Sequence, residues 1–302
     1  MSNTQHKLFV SVDMDEWYLA RWATGSKHSI WPDIETCCRA VYGRTDVKKM
    51  EEPAQRVLEL FSELKFSSTF FFTGVMAKLY PELIKKIASL GHEIGCHNFH
   101  HIDYKNETPK RFINDLSSSK KMLEDISGTE VIGYRSPNSS IPQNLVGHLQ
   151  DAGFKYDSSV TPTRKLLGKF GNFTNAPTYP YHPDYKNIGV KGKADLLEIP
   201  WAVFPYGKLP SGSGITHRIA GNWYNTIAIN SALKKGHTSY YFHPYEISVL
   251  DELKKIPLPF TAKILLKNCG NNYFTALKKF LDQHKLRLIN GRNLYFLTKN
   301  TE

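Results

Sequence analysis

Short apolar runs alternate with amphipathic stretches through the first half of the chain. LFVSVD (8–13) is a continuous apolar run closed by an acid, the pattern of a parallel strand buried on both faces. From Pro53 to Leu64, Val57, Leu58, Leu60, Phe61 and Leu64 form one apolar helical face. SSTFFFTG (67–74) reads as the next strand. Pro81 to Leu90 reads as a helix, with proline near its start and Gly91 just past its end. HEIGCH (92–97) is a strand that ends in a histidine. A helix is expected from Pro109 to Ile126, with Thr108 as its cap. VIGYRSP (131–137) then reads as a strand entering a loop, and Pro142 to Ala152 as a helix closed by Gly153.

Strand–helix alternation of this kind implies an α/β fold, a parallel sheet covered by helices and either open or closed into a barrel. Residues 161–220 break the rhythm with Pro, Gly and Tyr and read as long loops around a site mouth. Within them LPSGSG (209–214) is expected to be a turn or lid. TSYYFHP (238–244) is a late strand, Phe274 to His284 a helix, and NLYFLT (293–298) a final strand. No repeat or linker divides the 302 residues, a length that suits one (β/α) barrel. We therefore expect a single domain over 1–302, with its chemistry in about 8–250 and a helix and strand in 251–302.

Composition narrows this picture only in places. Hydrophobic residues make up 41%, enough for one large core, and aromatics at 13% suit either that core or a carbohydrate-binding face. No stretch approaches the ~20 apolar residues that span a bilayer. Met1 to Lys7 is polar and leads directly into the first strand, so a cytoplasmic chain is expected. Cys37, Cys38, Cys96 and Cys269 include no CxxC pair and read as free thiols. The net charge of +11 would suit a phosphate-bearing substrate or peripheral contact with an anionic membrane face, here the inner one. Its lysines are scattered and no recognition motif accompanies them, so no nucleic-acid partner is expected.

Potentially reactive side chains collect at the predicted C-terminal ends of strands, where barrel sites gather. The first strand ends in Asp13, with Asp15 and Glu16 close behind, and carboxylates at such an edge need a cation or donors. The third strand leads into His97 and His101, which would share one face of a helical turn and could grip one metal ion. An added carboxylate would complete a His₂/carboxylate site with positions open to water and substrate. The fourth strand supplies Arg135 and the late strand His243. Trp17 and Trp201 adjoin these segments and could stack on a sugar ring or lie in the core.

In motif order, over about 8–250, the chain resembles the polysaccharide deacetylases, the NodB-homology carbohydrate esterases. STFFFTGVMAKLYPELIKKIASLGHEIGCHNFHH is similar to that family's strand–helix–strand core ending in a metal-binding histidine pair. GYRSPNSS resembles its arginine–proline loop and YYFHPYEI its late histidine motif, with YDSSV and LEIPW resembling the segments between. The resemblance implies a distorted (β/α) barrel with long loops and one divalent ion, most simply Zn²⁺, held by His97 and His101. It further implies Asp13 as catalytic base, Arg135 as the residue orienting it, His243 as general acid, and the backbone N–H of Asn138 as an oxyanion donor. The family's paired aspartates are here split by Met14, which leaves Asp15 as the expected metal carboxylate and Glu16 as the alternative. If neither reached the ion, the site would resemble metal-free relatives that act on small cyclic amides.

The implied reaction is hydrolysis of an N-acyl group, most simply acetyl, from an amino sugar, with a nucleotide- or lipid-linked precursor of surface polysaccharide as the expected substrate. Deformylation or hydrolysis of a small amide on the same scaffold is the alternative, and a non-catalytic glycan-binding barrel the rival from another class. His243 must be protonated to serve as the acid, so a carboxylate should stand beside it, and Asp157 in YDSSV is the candidate.

Overall fold

The computed structural model describes residues 5–26, 29–164 and 173–300. Its strands are β1 (Leu8–Asp13), β2 (Thr69–Phe72), β3 (Glu93–Cys96), β4 (Gly133–Tyr134), β5 (Tyr156–Asp157), β6 (Leu197–Glu198), β7 (Val203–Phe204), β8 (Leu209–Pro210), β9 (Thr238–Phe242) and β10 (Leu288–Ile289). The helices are α1 (Ile34–Tyr42), α2 (Glu51–Leu64), α3 (Gly74–Leu79), α4 (Pro81–Ser89), α5 (Pro109–Ser127), α6 (Leu145–Asp151), α7 (Gly214–Leu233), α8 (Phe260–Leu265), α9 (Asn271–Gln283) and α10 (Gly291–Lys299).

β1 is the pivot of the sheet. It pairs in parallel with β9 along Leu8–Val12, with β2 from Ser11 onward, and with β10 at Leu8 and Phe9. The ladder continues in parallel through β3, β4 and β5 to β6 and curls into a distorted barrel. Among the described residues no ladder joins β6 to β9. The gap is crossed instead by side chains such as Ser239, whose hydroxyl donates to the Pro200 carbonyl at 2.9 Å.

Alternation along β1 explains its unbroken apolar run. Leu8, Val10 and Val12 face the helical layer and belong to the large core, whereas Phe9 points inward to Phe71, Ile132 and Tyr156. Inward-facing Ser11 and Asp13 continue this column toward the mouth, where polarity replaces packing.

Two expectations fail here. NLYFLT is not a strand: it lies in α10, whose cap is Asn290 accepting from the Asn293 N–H at 2.8 Å. The N-terminus of α10 sits against the first residues of β2 and β3, with Gly291 N–H donating to Thr69 and Arg292 N–H to Glu93. Leu294 and Tyr295 thereby close the barrel floor. LPSGSG is neither turn nor lid; it supplies β8 and then Ser213, the N-cap of the 20-residue helix α7. Helices α1 and α3, and the start of α2 at Glu51, were not legible in the apolar spacing.

Candidate active site

The loops that follow β1, β3, β4 and β9 converge at one end of the barrel. Met14 N–H donates to the Phe71 carbonyl at 2.9 Å and Asp15 N–H to the Asp13 carbonyl at 2.8 Å, which turns two successive acids into the mouth. After β3, His97 N–H stays in the ladder, bonded to Phe72 O at 2.8 Å. The chain then turns through Asn98 at φ 59°. His97 and His101 are therefore not on a helical turn, as the spacing suggested, but at the two ends of a loop. The N-terminus of α3 holds that loop through Gly74 N–H to Asn98 O and Val75 N–H to Phe99 O. A Cβ at Gly74 would lie 2.5 Å from the Phe99 ring, so the close approach requires glycine.

The loop brings the two imidazole centroids within 5.3 Å. Asp15 Oδ2 lies 3.2 Å from His101 Nε2, 3.8 Å from His97 Nε2 and 4.0 Å from His243 Nε2. Asp15, His97 and His101 each offer a ligand atom within 4.8 Å of the others. Asp15 is buried, and neither of its carboxylate oxygens has a hydrogen-bond partner. Burial would raise its pKa, but the three imidazoles hold it far below the usual carboxylate range. A buried, under-bonded carboxylate facing imidazole nitrogens is the donor set of a divalent cation, so the residues fit the metal that the sequence implied. His97 donates its Nδ1–H to the Arg135 carbonyl at 2.7 Å, which leaves Nε2 as the nitrogen facing Asp15.

Asp13 lies beside this cluster. Arg135, fully buried, donates from Nη1 to Asp13 Oδ1 at 2.6 Å and to Ser11 Oγ at 2.8 Å. Ser158 takes Nε on its carbonyl at 3.1 Å and Nη2 on its hydroxyl at 2.9 Å, and the guanidinium stacks over Phe71 at 4.5 Å. Every direction of the arginine is thus fixed, and with it the carboxylate it holds.

His243 stacks on Tyr245 at 5.0 Å and 25° and keeps about a fifth of its side chain exposed, so it faces incoming solute. The carboxylate beside it is not Asp157 but Glu246, with Oε2 at 3.7 Å from His243 Nδ1 and accepting the His243 N–H at 3.0 Å. Glu246 Oε1 in turn accepts from Arg218 Nη2 at 2.7 Å. Burial would raise the Glu246 pKa, yet Arg218 and His243 bring it down to about 2. Burial likewise works against charging His243, and Glu246 outweighs it, raising that imidazole's pKa. Asp157 instead faces Glu198 across the β5–β6 pair and accepts from Ser159 Oγ at 2.6 Å. Burial raises its pKa, opposite to the behaviour of an ionised partner for an imidazolium.

The remaining candidates divide. Glu16 turns away from the histidines, accepting from the Lys49 N–H at 2.6 Å and from the Tyr80 hydroxyl, and burial pushes its pKa up to about 7. Asp15 is therefore the carboxylate of the cluster. Trp17 is a core residue, fully buried, stacked on Trp22 at 5.6 Å and bonded through Nε1 to Tyr42. Trp201 sits partly buried at the mouth, with Nε1 donating to the Ser158 carbonyl and its ring 4.3 Å from Tyr241. Asn138 lies just past Arg135 in a left-handed pair with Ser139 (φ 56° and 50°), and its amide reaches the Gly25 carbonyl and Asp103. Sequence reasoning missed Glu246, Arg218 and Ser158. Of these only Glu246 left a signal, as the fourth residue of HPYE, where it closes a capping box on His243. A pocket of about 680 Å³ opens beside Asp15, lined among others by Lys48, Lys49, Arg56, Glu252 and Tyr245.

Residues 35–156 match the family described as "Polysaccharide deacetylase". That span contains His97, His101, Arg135 and Asn138, while Asp13, Asp15 and His243 join them through the fold. A peptidoglycan deacetylase of Helicobacter pylori is 32% identical over 48% of this chain and 51% of its own. A peptidoglycan-N-acetylglucosamine deacetylase of Bacillus cereus is 30% identical over 33% of this chain and 46% of its own. The chain thus spans about half the length of these curated relatives. A crystal structure from Mycobacterium smegmatis, 17% identical, covers 100% of this chain and 93% of its own with a TM-score of 0.63, and shares the fold.

Proposed function

We propose, from the premise that this chain belongs to the polysaccharide deacetylase family, that it hydrolyses the N-acetyl group of an amino sugar. The observation that carries the reading is the under-bonded Asp15 carboxylate between His97, His101 and His243, with the Arg135-held Asp13 alongside. Asp15, His97 and His101 would hold a divalent ion, zinc being the simplest, which supplies polarisation of the acyl oxygen and a more acidic water. Asp13 is the general base that takes the proton of the attacking water, and Arg135 keeps its carboxylate aimed. His243, charged with the help of Glu246, protonates the departing amine. The Asn138 N–H is the protein's donor to the developing oxyanion. Asp13 must be deprotonated and His243 protonated, so the rate should be bell-shaped in pH.

The finer substrate reading is a phosphate-bearing, nucleotide- or lipid-linked sugar. It is supported by the net charge of +11. The test is release of acetate and of free amine from N-acetylated glycans, lipid-linked sugars and nucleotide sugars, with metal content measured in parallel. Wild type should carry about one divalent ion and release acetate. His97→Ala should lose both, and Asp13→Asn should keep the ion and lose turnover. Formate in place of acetate, or an active wild type without bound ion, overturns the reading.

A further inference from the structure

Away from the pocket, several large apolar side chains are exposed on neighbouring elements. On α7, Ile219, Trp223 and Ile227 are 47%, 69% and 50% exposed, and on α8 Phe260 reaches 77%. Ile264 of α8 and Tyr206, between β7 and β8, add to the set. The N-terminal end of α7 is tied to the C-terminal end of α8 and the residues that follow it. Arg218 of α7 donates to the carbonyls of Leu265 and Lys267, and the Asn268 amide donates back to the Arg218 carbonyl at 2.8 Å. α7 is broken at Gly221 (φ 85°, ψ 164°), and Trp223 follows that break directly.

Along the chain, the charge beside these side chains has one sign. No Asp or Glu occurs from Ile199 to Tyr245 or from Leu253 to Leu281, two stretches that contain α7 and α8 entirely. Lys234 and Lys235 follow α7, Lys263 lies within α8 and Lys267 just beyond it, all exposed. Scattered exposed apolar residues are ordinary, but tryptophan and phenylalanine on two helices tied through Arg218, with lysine the exposed charge flanking them in sequence, match the chemistry of a lipid–water interface. Aromatic rings settle at headgroup level there, and lysines gain about 1 kcal/mol each against anionic lipid. No described helix is long and apolar enough to cross a membrane.

We propose that the α7–α8 face docks peripherally on an anionic lipid bilayer, with Trp223 and Phe260 inserted at headgroup level and the flanking lysines against lipid phosphate. A second copy of the chain is the competing occupant; the one-sided charge disfavours it, because two such faces would repel. α7 begins at Gly214, packed against Glu246, so the docked face adjoins the His243 side of the mouth. That placement would bring the pocket close to membrane-carried sugars, a consequence that rests on the hydrolase reading; the docking itself does not.

The test is co-sedimentation of the full chain with vesicles of phosphatidylcholine alone and of equal parts phosphatidylcholine and phosphatidylglycerol, with light scattering for oligomeric state. Wild type should bind the anionic vesicles and not the neutral ones. Trp223→Ser with Phe260→Ser should weaken binding at least about tenfold. Lys234→Gln with Lys235→Gln should weaken it on the order of thirtyfold. All four positions are exposed, and unchanged circular dichroism would exclude unfolding as the cause. Absence of wild-type binding, binding indifferent to these substitutions, or a wild-type dimer dispersed by Trp223→Ser would each overturn the proposal. Acetate release from a soluble substrate is a separate readout, so failure here leaves the hydrolase reading standing.

Discussion

Glu246→Gln separates the two duties of the Arg218–Glu246–His243 chain. The change is nearly isosteric and removes one charge. Arg218 and Glu246 are 2.7 Å apart with 1% and 2% of their side chains exposed, so the substitution strands a buried guanidinium. Losing one partner of such a pair costs about 3–5 kcal/mol. Arg218 keeps the Leu265 and Lys267 carbonyls as acceptors, so we expect the lower end, about 3 kcal/mol. That corresponds to a fall in melting temperature on the order of 5 °C. Glu246 titrates at about 2 in the fold against an ordinary 4.5, so its contribution is complete above about 4.5 and lost as pH falls toward 2. Urea midpoints of wild type and variant should therefore converge over that window. The second duty concerns catalysis. Glu246 raises the His243 pKa, and protonated His243 is the donor, so the alkaline limb of the kcat–pH profile should move to lower pH in the variant. Equal stability together with an unmoved alkaline limb would refute the reasoning. Lost stability with an unmoved limb would leave Glu246 structural and assign the proton to another group.

Further outcomes follow from other parts of the molecule. His92 and His217 are held neutral by burial, each brought down to about 4, so stability should be full above about 6.5 and fall as pH drops through that window; urea titration at stepped pH would show it, and His217→Gln should flatten the slope. Leu294→Ala should cost about 2–5 kcal/mol, because α10 closes the barrel floor; a surface strand at 293–298 would predict almost nothing, and thermal denaturation decides. Trp17→Ala should cost about 3–5 kcal/mol in stability. Trp201→Ala should instead raise KM with a smaller stability loss, and a steady-state comparison of the two variants separates core from mouth.

Much of the fold was legible because burial imposes a simple code on strands and amphipathic helices. β1 could be read to the residue, since all six of its positions are buried and the run ends where Asp13 enters the mouth. α5 was legible from Thr108 and Pro109 at its start. What escaped was set by contacts distant in sequence. NLYFLT carries apolar residues on successive positions, and only the Asn290 cap together with the Tyr156 and Phe9 cluster beneath makes it a helix. α7 is apolar on several faces and interrupted at Gly221, so its periodicity is blurred. In the site, Asp15, His97, His101, Arg135 and His243 fall at strand ends and could be listed from the chain alone. The partner of His243 could not, because the favoured Asp157 lies five strands along the sheet from β9 while Glu246 returns within one turn. Arg218, 28 residues before Glu246, gave no signal, since nothing in a helical arginine announces a buried acceptor.

Arg135 meets the site in two unlike ways. Its side chain fixes Asp13, whereas its main-chain carbonyl fixes His97. The first link exists only for arginine; the second survives any residue that keeps the backbone in place. Mutational drift at this one position would therefore silence proton transfer while the Asp15–His97–His101 cluster kept its shape. If that cluster holds a metal ion as proposed, a descendant of this chain could keep it, and pass for an enzyme in any binding assay, long after it had ceased to turn over substrate.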